Sequence, residues 1–194
     1  VHRDFEKREV TLKVVYYGPA LAGKSTNLQT LFARAPPNDS KHQGPSLIPH
    51  SFHLTWVPSG LGKLDDFFRI RLHLATAPAA TYKSAHRSLI SQGLDAMVLV
   101  LDSQAERLRD NRDEMAEVFR ELESYRYELP KIPKVAQFNK RDLSNAVPVD
   151  EMRQALGLSD VPCFEAVATT GKGVFDTLKA TVRQVIVQAR QSRS

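Results

Sequence analysis

The chain has 194 residues, a length that suits one compact domain, and its 42% apolar content is enough for a real core while 25% charged residues exclude a disordered chain. Its 27 Lys and Arg against 22 Asp and Glu give a net charge of +5, but no basic run carries interleaved aromatics, which argues against nucleic acid as a partner. Cys163 is the single cysteine, so no intramolecular disulfide forms, and no apolar run reaches the roughly 18 residues of a membrane span; both fit a cytoplasmic protein, with peripheral attachment at a membrane or cell pole left open.

Taken in chain order, Val10–Tyr17 is a β-rich apolar run ending at Gly18 and reads as a buried strand. A helix follows from Ser25, with Leu28, Leu31 and Phe32 on one face, and stops before Pro36-Pro37-Asn38-Asp39. Pro36–Gly62 reads as loop, with a short strand at Leu54–Val57. Phe68, Ile70, Leu72 and Leu74 alternate with Arg69, Arg71 and His73, the period of a strand with one polar face. Tyr82–Gln92 is expected to be helical.

Met97–Leu101 is a fully apolar strand. The long helix after it carries Met115, Val118, Phe119, Leu122 and Tyr125 at helical spacing, with a solvated, mixed-charge outer face. Val135–Phe138 and Cys163–Val167 are two more short strands. A last helix presents Phe175, Leu178, Val182, Val185, Ile186 and Ala189 as a core stripe. Strands that alternate with helices predict an α/β fold, a mainly parallel sheet covered on both faces, with neither an internal repeat nor a second domain.

Two motifs carry chemistry. Gly18-Pro19-Ala20-Leu21-Ala22-Gly23-Lys24-Ser25 fits G-x-x-x-x-G-K-[ST] between a strand and a helix, the setting that motif requires. Its backbone N–H groups and the helix N-terminus can cradle phosphates, Lys24 can reach the β- and γ-phosphates, and the Ser25 hydroxyl can ligate Mg²⁺. Asn139-Lys140-Arg141-Asp142 is the N-K-x-D pattern at a strand end. The Asp142 carboxylate can accept from the ring N–H and exocyclic amine of guanine, a donor pair that adenine lacks. Asn139 can tie this loop to the phosphate loop, and the Lys140 stem can lie over the base. An ATPase or kinase has no need of such a reader. Asp102, after four apolar residues, imitates a Walker-B aspartate but reads better as the end of its strand, near the nucleotide.

With these motifs the chain resembles the bacterial MglA-type small GTPases, a branch of the Ras superfamily. The resembling stretches run in order along nearly the whole sequence: Val14–Pro19, Gly23–Leu28, Thr76-Ala77-Pro78, Asn139–Leu143, Glu165–Thr169 and Gly171–Phe175. The resemblance implies a three-layer, six-stranded Ras-like P-loop fold that cycles between GTP and GDP with Mg²⁺. It also implies a role in bacterial polarity or motility through an effector, and a homodimeric roadblock-type partner, MglB, that stimulates hydrolysis. The resemblance places Thr26 beside the phosphates, and Val167, Ala168 and Thr169 on the guanine loop.

The chain departs from the family at catalytic positions. Thr76-Ala77-Pro78-Ala79-Ala80 stands where the family has T-V-P-G-Q, so Ala79 replaces the γ-phosphate-sensing glycine and Ala80 the water-positioning glutamine. Ala20 replaces a glycine of the phosphate loop, and alignment of the first switch puts His50 at the catalytic arginine and Ser51 at the Mg²⁺-binding threonine. The family threonine is retained at Thr76. These departures lead to two expectations: a slow GTPase switch, or a pseudo-GTPase that holds nucleotide as a scaffold.

Overall fold

The computed structural model describes residues 2–44, 51–61, 63–64, 67–78, 90 and 92–191. Nine strands form one sheet among these residues: β1 (His2–Asp4), β2 (Glu9–Tyr17), β3 (Ser40–Gly44), β4 (His53–Val57), β5 (Lys63–Leu64), β6 (Phe68–Thr76), β7 (Ala96–Asp102), β8 (Lys134–Asn139) and β9 (Cys163–Glu165). Seven of them lie in the order β3-β4-β6-β2-β7-β8-β9, while β1 pairs with β2 and β5 with β6. The β6, β2, β7, β8 and β9 strands run parallel, and β3 and β4 are antiparallel additions at one edge.

This is the mainly parallel, two-face-covered α/β sheet that the sequence predicts, with seven strands in line where the resemblance implies six. The additional strand, β3, lies in the proline-rich stretch read as loop. Its sequence, Ser-Lys-His-Gln-Gly, has no apolar alternation because it is an edge strand held by backbone pairing to β4. The described helices of three turns or more are α1 (Lys24–Arg34), α2 (Leu108–Ser124) and α4 (Val174–Gln191); a shorter one, α3 (Val149–Ala155), was not read from the sequence. The helix expected over 82–92 lies outside the described residues apart from Ile90 and Gln92.

The two cores follow from strand alternation. Val10, Leu12, Val14 and Tyr16 of β2 point to one face, where Leu28 and Leu31 of α1 and Leu178, Val182 and Val185 of α4 meet them. Val15 and Tyr17 point to the other, against Met115, Val118 and Leu122 of α2 and Met152 of α3. Each fully buried Leu or Val contributes about 1.5–3 kcal/mol from water exclusion, so these apolar faces fix the helices far more firmly than helix propensity does. One residue of the expected α2 stripe departs from it: Tyr125 falls just past the helix end and is exposed, because the chain turns there through the left-handed Arg126 (φ 64°).

The parallel pairing has a consequence for function. Tyr17 lies level with Leu99, Asp102 with Asn139, and Phe138 with Glu165. The loops that leave β2, β7, β8 and β9 therefore emerge side by side at the carboxyl edge of the sheet, where ligands of open α/β sheets bind.

Candidate nucleotide site

The loop from Gly18 to Ser25 joins β2 to α1. Gly18 adopts φ 144°, and a Cβ there would lie 2.0 Å from the Val100 carbonyl oxygen of β7. Gly23 adopts φ 100°, and a Cβ there would lie 2.2 Å from the Asn139 side-chain nitrogen. Both glycines are thus demanded twice over, by backbone conformation and by close approach. Leu21 is the other left-handed residue of the loop, at φ 63°, and its side chain is exposed; Ala20 keeps an ordinary backbone, so its methyl carries no conformational strain.

Lys24 is buried at the start of α1. Its ammonium donates to the carbonyl oxygens of Gly18 at 2.5 Å and Pro19 at 2.9 Å, which holds it across the mouth of the loop. Burial pulls its pKa down to about 8, partly offset by attraction to Glu114. Phosphate contact favours the charged ammonium and raises the pKa in the complex. Nucleotide affinity is therefore full below pH 8 and falls as pH rises through 8 towards the pKa of the complex. Binding near pH 8 is expected to take up a fraction of a proton, and affinity to fall as pH rises above 8. Calorimetry in buffers of different ionisation enthalpy checks this, and zero proton uptake at pH 8 contradicts it.

Asn139 ends β8, fully buried. Its side-chain N–H₂ donates to the Ala22 carbonyl at 2.8 Å, and its Oδ1 accepts from the Ala168 N–H at 2.9 Å. One side chain thereby binds the phosphate loop to the loop after β9. A second tie runs from the Thr30 hydroxyl of α1 to the Ala168 carbonyl, 2.7 Å away. The next residue, Lys140, takes a left-handed φ of 64° and donates to the Asp102 carboxylate at 2.6 Å.

These ties enclose a cavity of about 220 Å³. Its walls are Leu21, Gly23 and Thr26 from the phosphate loop, Asn139, Lys140, Asp142 and Leu143 from the loop after β8, and Val167, Ala168 and Thr169 from the loop after β9. The three segments singled out in the sequence come together here, with exposed Asp142 on the wall. Larger cavities, of about 410 and 630 Å³, lie around Lys131, Pro133 and α4, at the opposite edge of the sheet from the phosphate loop, and one of about 260 Å³ lies against Lys13, His53 and His73.

Asp102 is the last residue of β7, as read, and its carboxylate faces Lys140 and Arg107. Arg107 was missed by sequence reasoning: its guanidinium donates to the Ala20 carbonyl at 2.8 Å from a short helical turn before α2, and a lone arginine in a mixed-charge stretch gave no signal.

Ser25 is exposed at the head of α1, free of steric cover for a metal. Ser51, the other residue assigned to the metal by alignment, lies just before β4. Its hydroxyl donates to the Thr76 carbonyl at 2.5 Å and lies 3.0 Å from His53 Nε2, while Thr76 Oγ1 accepts from the Phe52 N–H at 2.8 Å. Thr76 thus fastens the segment before β4 to the end of β6. His50, Ala79 and Ala80 lie outside the described residues.

The sequence model "Arf: ADP-ribosylation factor family" matches residues 87–185. The Mutual gliding-motility protein MglA of Myxococcus xanthus (strain DK1622) is 41% identical over 191 residues, which cover 97% of this chain and 97% of that protein. The chain belongs to the MglA-type small GTPases. Its fold is shared more widely in the Ras superfamily: the Arl6 BBS3 small GTPase from Trypanosoma brucei, solved with bound nucleotide analogue GppNp, matches with a TM-score of 0.65 at 21% identity, over 92% of this chain and 99% of that one. In this MglA-type chain no described helix is long and apolar enough to cross a membrane.

Proposed function

We propose that this GTPase is a guanine-nucleotide switch whose G domain spans residues 1–194. The single observation that carries the reading is Asn139, which joins the Ala22 carbonyl to the Ala168 N–H and so closes one cavity from the phosphate loop, the Asp142 loop and Val167–Thr169. In this reading Gly18–Thr26 hold the phosphates, with Lys24 released from Gly18 and Pro19 onto phosphate oxygens. Asp142 accepts the two guanine donors, the Lys140 stem covers the base, and the Ala168 and Thr169 backbone lines its oxygen side.

Mg²⁺, when bound with the nucleotide, offsets phosphate charge. The chemistry of a P-loop site fits the residues present, because it needs one hydroxyl ligand, supplied by Ser25, with phosphate and water oxygens completing the shell. Ser51 serves as a second ligand through a hydroxyl lone pair, which its donation to the Thr76 carbonyl leaves available. The segment before β4 that carries it is the element that a γ-phosphate would pull.

Hydrolysis is slow in this reading, since His50 and Ala80 replace the arginine and glutamine of the family. Such a chain signals by which nucleotide it holds, regulating cell polarity or motility through an effector. A roadblock-type MglB-like homodimer fits as the partner that completes the catalytic groups, and the cytoplasm or its boundary at the membrane as the place. The scaffold reading, a pseudo-GTPase, is favoured by the joint loss of both groups.

A displacement titration tests the nucleotide assignment. GTP and GDP are expected to displace a fluorescent GDP analogue at concentrations at least 10³-fold below those of ATP, because adenine leaves Asp142 unpaired. Equal competition by ATP overturns the assignment.

A further inference from the structure

The buried Asp102 carboxylate lies between Lys140 of the base-reading loop and Arg107, which reaches the phosphate loop. Its side chain is fully buried, and a charge so placed persists only with partners. It has two cations. Lys140, from the base-reading loop, donates to Oδ2 at 2.6 Å, and Arg107 Nε lies 3.8 Å from the same oxygen. The other carboxylate oxygen accepts the Gln104 N–H at 3.1 Å. The Asp102 backbone is fixed as well: the Asn111 side chain of α2 accepts from its N–H at 3.0 Å and donates to its carbonyl at 2.8 Å. The anchor's backbone is thus held by α2 and not by either cation.

Arg107 has a second bond that reaches the other half of the site. Its Nη2 donates to the Ala20 carbonyl at 2.8 Å, and its remaining terminal nitrogen pairs with Asp110. Ala20 is the loop residue at the position that the family keeps as glycine beside the γ-phosphate. One guanidinium thus spans from the phosphate loop to the buried carboxylate that also holds the base-covering lysine.

We propose that Asp102 and Arg107 are positioning residues that couple the two halves of the nucleotide site: Asp102 holds the Lys140 stem in place over the base, and Arg107 braces the Ala20 peptide of the phosphate loop against the same anchor. This rests on the guanine-nucleotide reading of the pocket. Loss of Arg107 frees the Ala20 carbonyl and leaves Lys140 alone to balance Asp102, so nucleotide leaves faster although Arg107 makes no base contact. The two halves then no longer report to each other.

The test is dissociation of a fluorescent GDP analogue from the full chain for wild type, Arg107→Ala, Arg107→Lys, Lys140→Ala and the Arg107→Ala/Lys140→Ala pair. Arg107 and Lys140 are both partly exposed, which makes their replacement tolerable to the fold, and a thermal melt of each variant confirms it. Arg107→Ala is expected to dissociate about 10-fold faster, the effect of one charge-assisted hydrogen bond, and Arg107→Lys to recover part of that. Since both cations act through Asp102, the double variant is expected to deviate from the product of the single effects by at least about threefold. Independent, multiplying effects overturn the coupling even if both singles are faster, and so does Arg107→Ala dissociating at the wild-type rate. A wild-type chain that never retains the analogue fails at the nucleotide assignment itself, which separates that failure from this one.

Discussion

Phosphate release from GTP by the wild-type chain is expected to be no faster than that of an unstimulated small GTPase, on the order of 10⁻⁴ s⁻¹, and restoring three positions together should accelerate it by at least about 10²-fold. Phosphoryl transfer asks a protein for positioning and charge stabilisation, and an arginine alone is worth roughly 10³–10⁵ in related systems. His50 cannot supply a permanent, forked cation, and Ala80 cannot orient water. Ala80→Gln by itself should give a small gain, because water orientation helps little while the transition-state charge stays unbalanced. Adding His50→Arg and Ala20→Gly should give far more than the product of the separate gains, since the groups act on one transition state. Ala20 already has an ordinary backbone and an exposed side chain, so the glycine there changes space at the phosphates rather than the fold. Single-turnover phosphate release, with thermal melts as the folding control, measures this. Rapid wild-type turnover without a partner contradicts it and points to another catalytic group.

The two competing functions differ in their response to a partner. A slow enzyme gains from a partner that lends an arginine or orders the water, whereas a pure scaffold does not. The structure contributes one relevant element: the segment before β4 is held by Ser51 on the Thr76 carbonyl and by the Phe52 N–H on Thr76 Oγ1. In the switch reading, a γ-phosphate that drew this segment toward the metal would act on these two bonds.

Much of the architecture was legible because burial writes itself into periodicity. The apolar run of β2, the alternation of Phe68–Leu74 in β6 and the stripe of α4 each matched an observed element, since each buries a continuous face. The elements not read bury little. β3 is an edge strand held by main-chain bonds, β1 and β5 are two or three residues long, and α3 contributes Met152 alone to the buried set. In the site, Asn139 and the phosphate loop were legible because their motifs encode close backbone approach, which tolerates few residue types. The Asp102–Arg107 link was not, because an ion pair between residues joined only by loop geometry leaves no period and no fixed spacing. Ser51 was assigned by alignment to the metal, and an alignment does not reveal the two partners that its hydroxyl has in the structure, the Thr76 carbonyl and His53 Nε2.

In the guanine-nucleotide reading Asp142 recognises the base within a pocket that Asn139 closes, and the base preference of Asp142→Asn decides it. Asparagine presents a donor where the carboxylate presents an acceptor, so it repels the guanine amine and suits xanthine, whose corresponding group is a carbonyl oxygen. A site built around a buried hydrogen-bond pair discriminates by roughly 10⁴–10⁵ against a mismatched ligand. Asp142 is exposed on the wall of the pocket, so the substitution leaves the core intact. Competition of GDP and xanthosine diphosphate for a fluorescent diphosphate analogue is measured on wild type and variant. Wild type is expected to prefer GDP by at least about 10²-fold, and the variant to invert the order. A variant that still prefers GDP as strongly as wild type does would show that another group reads the base.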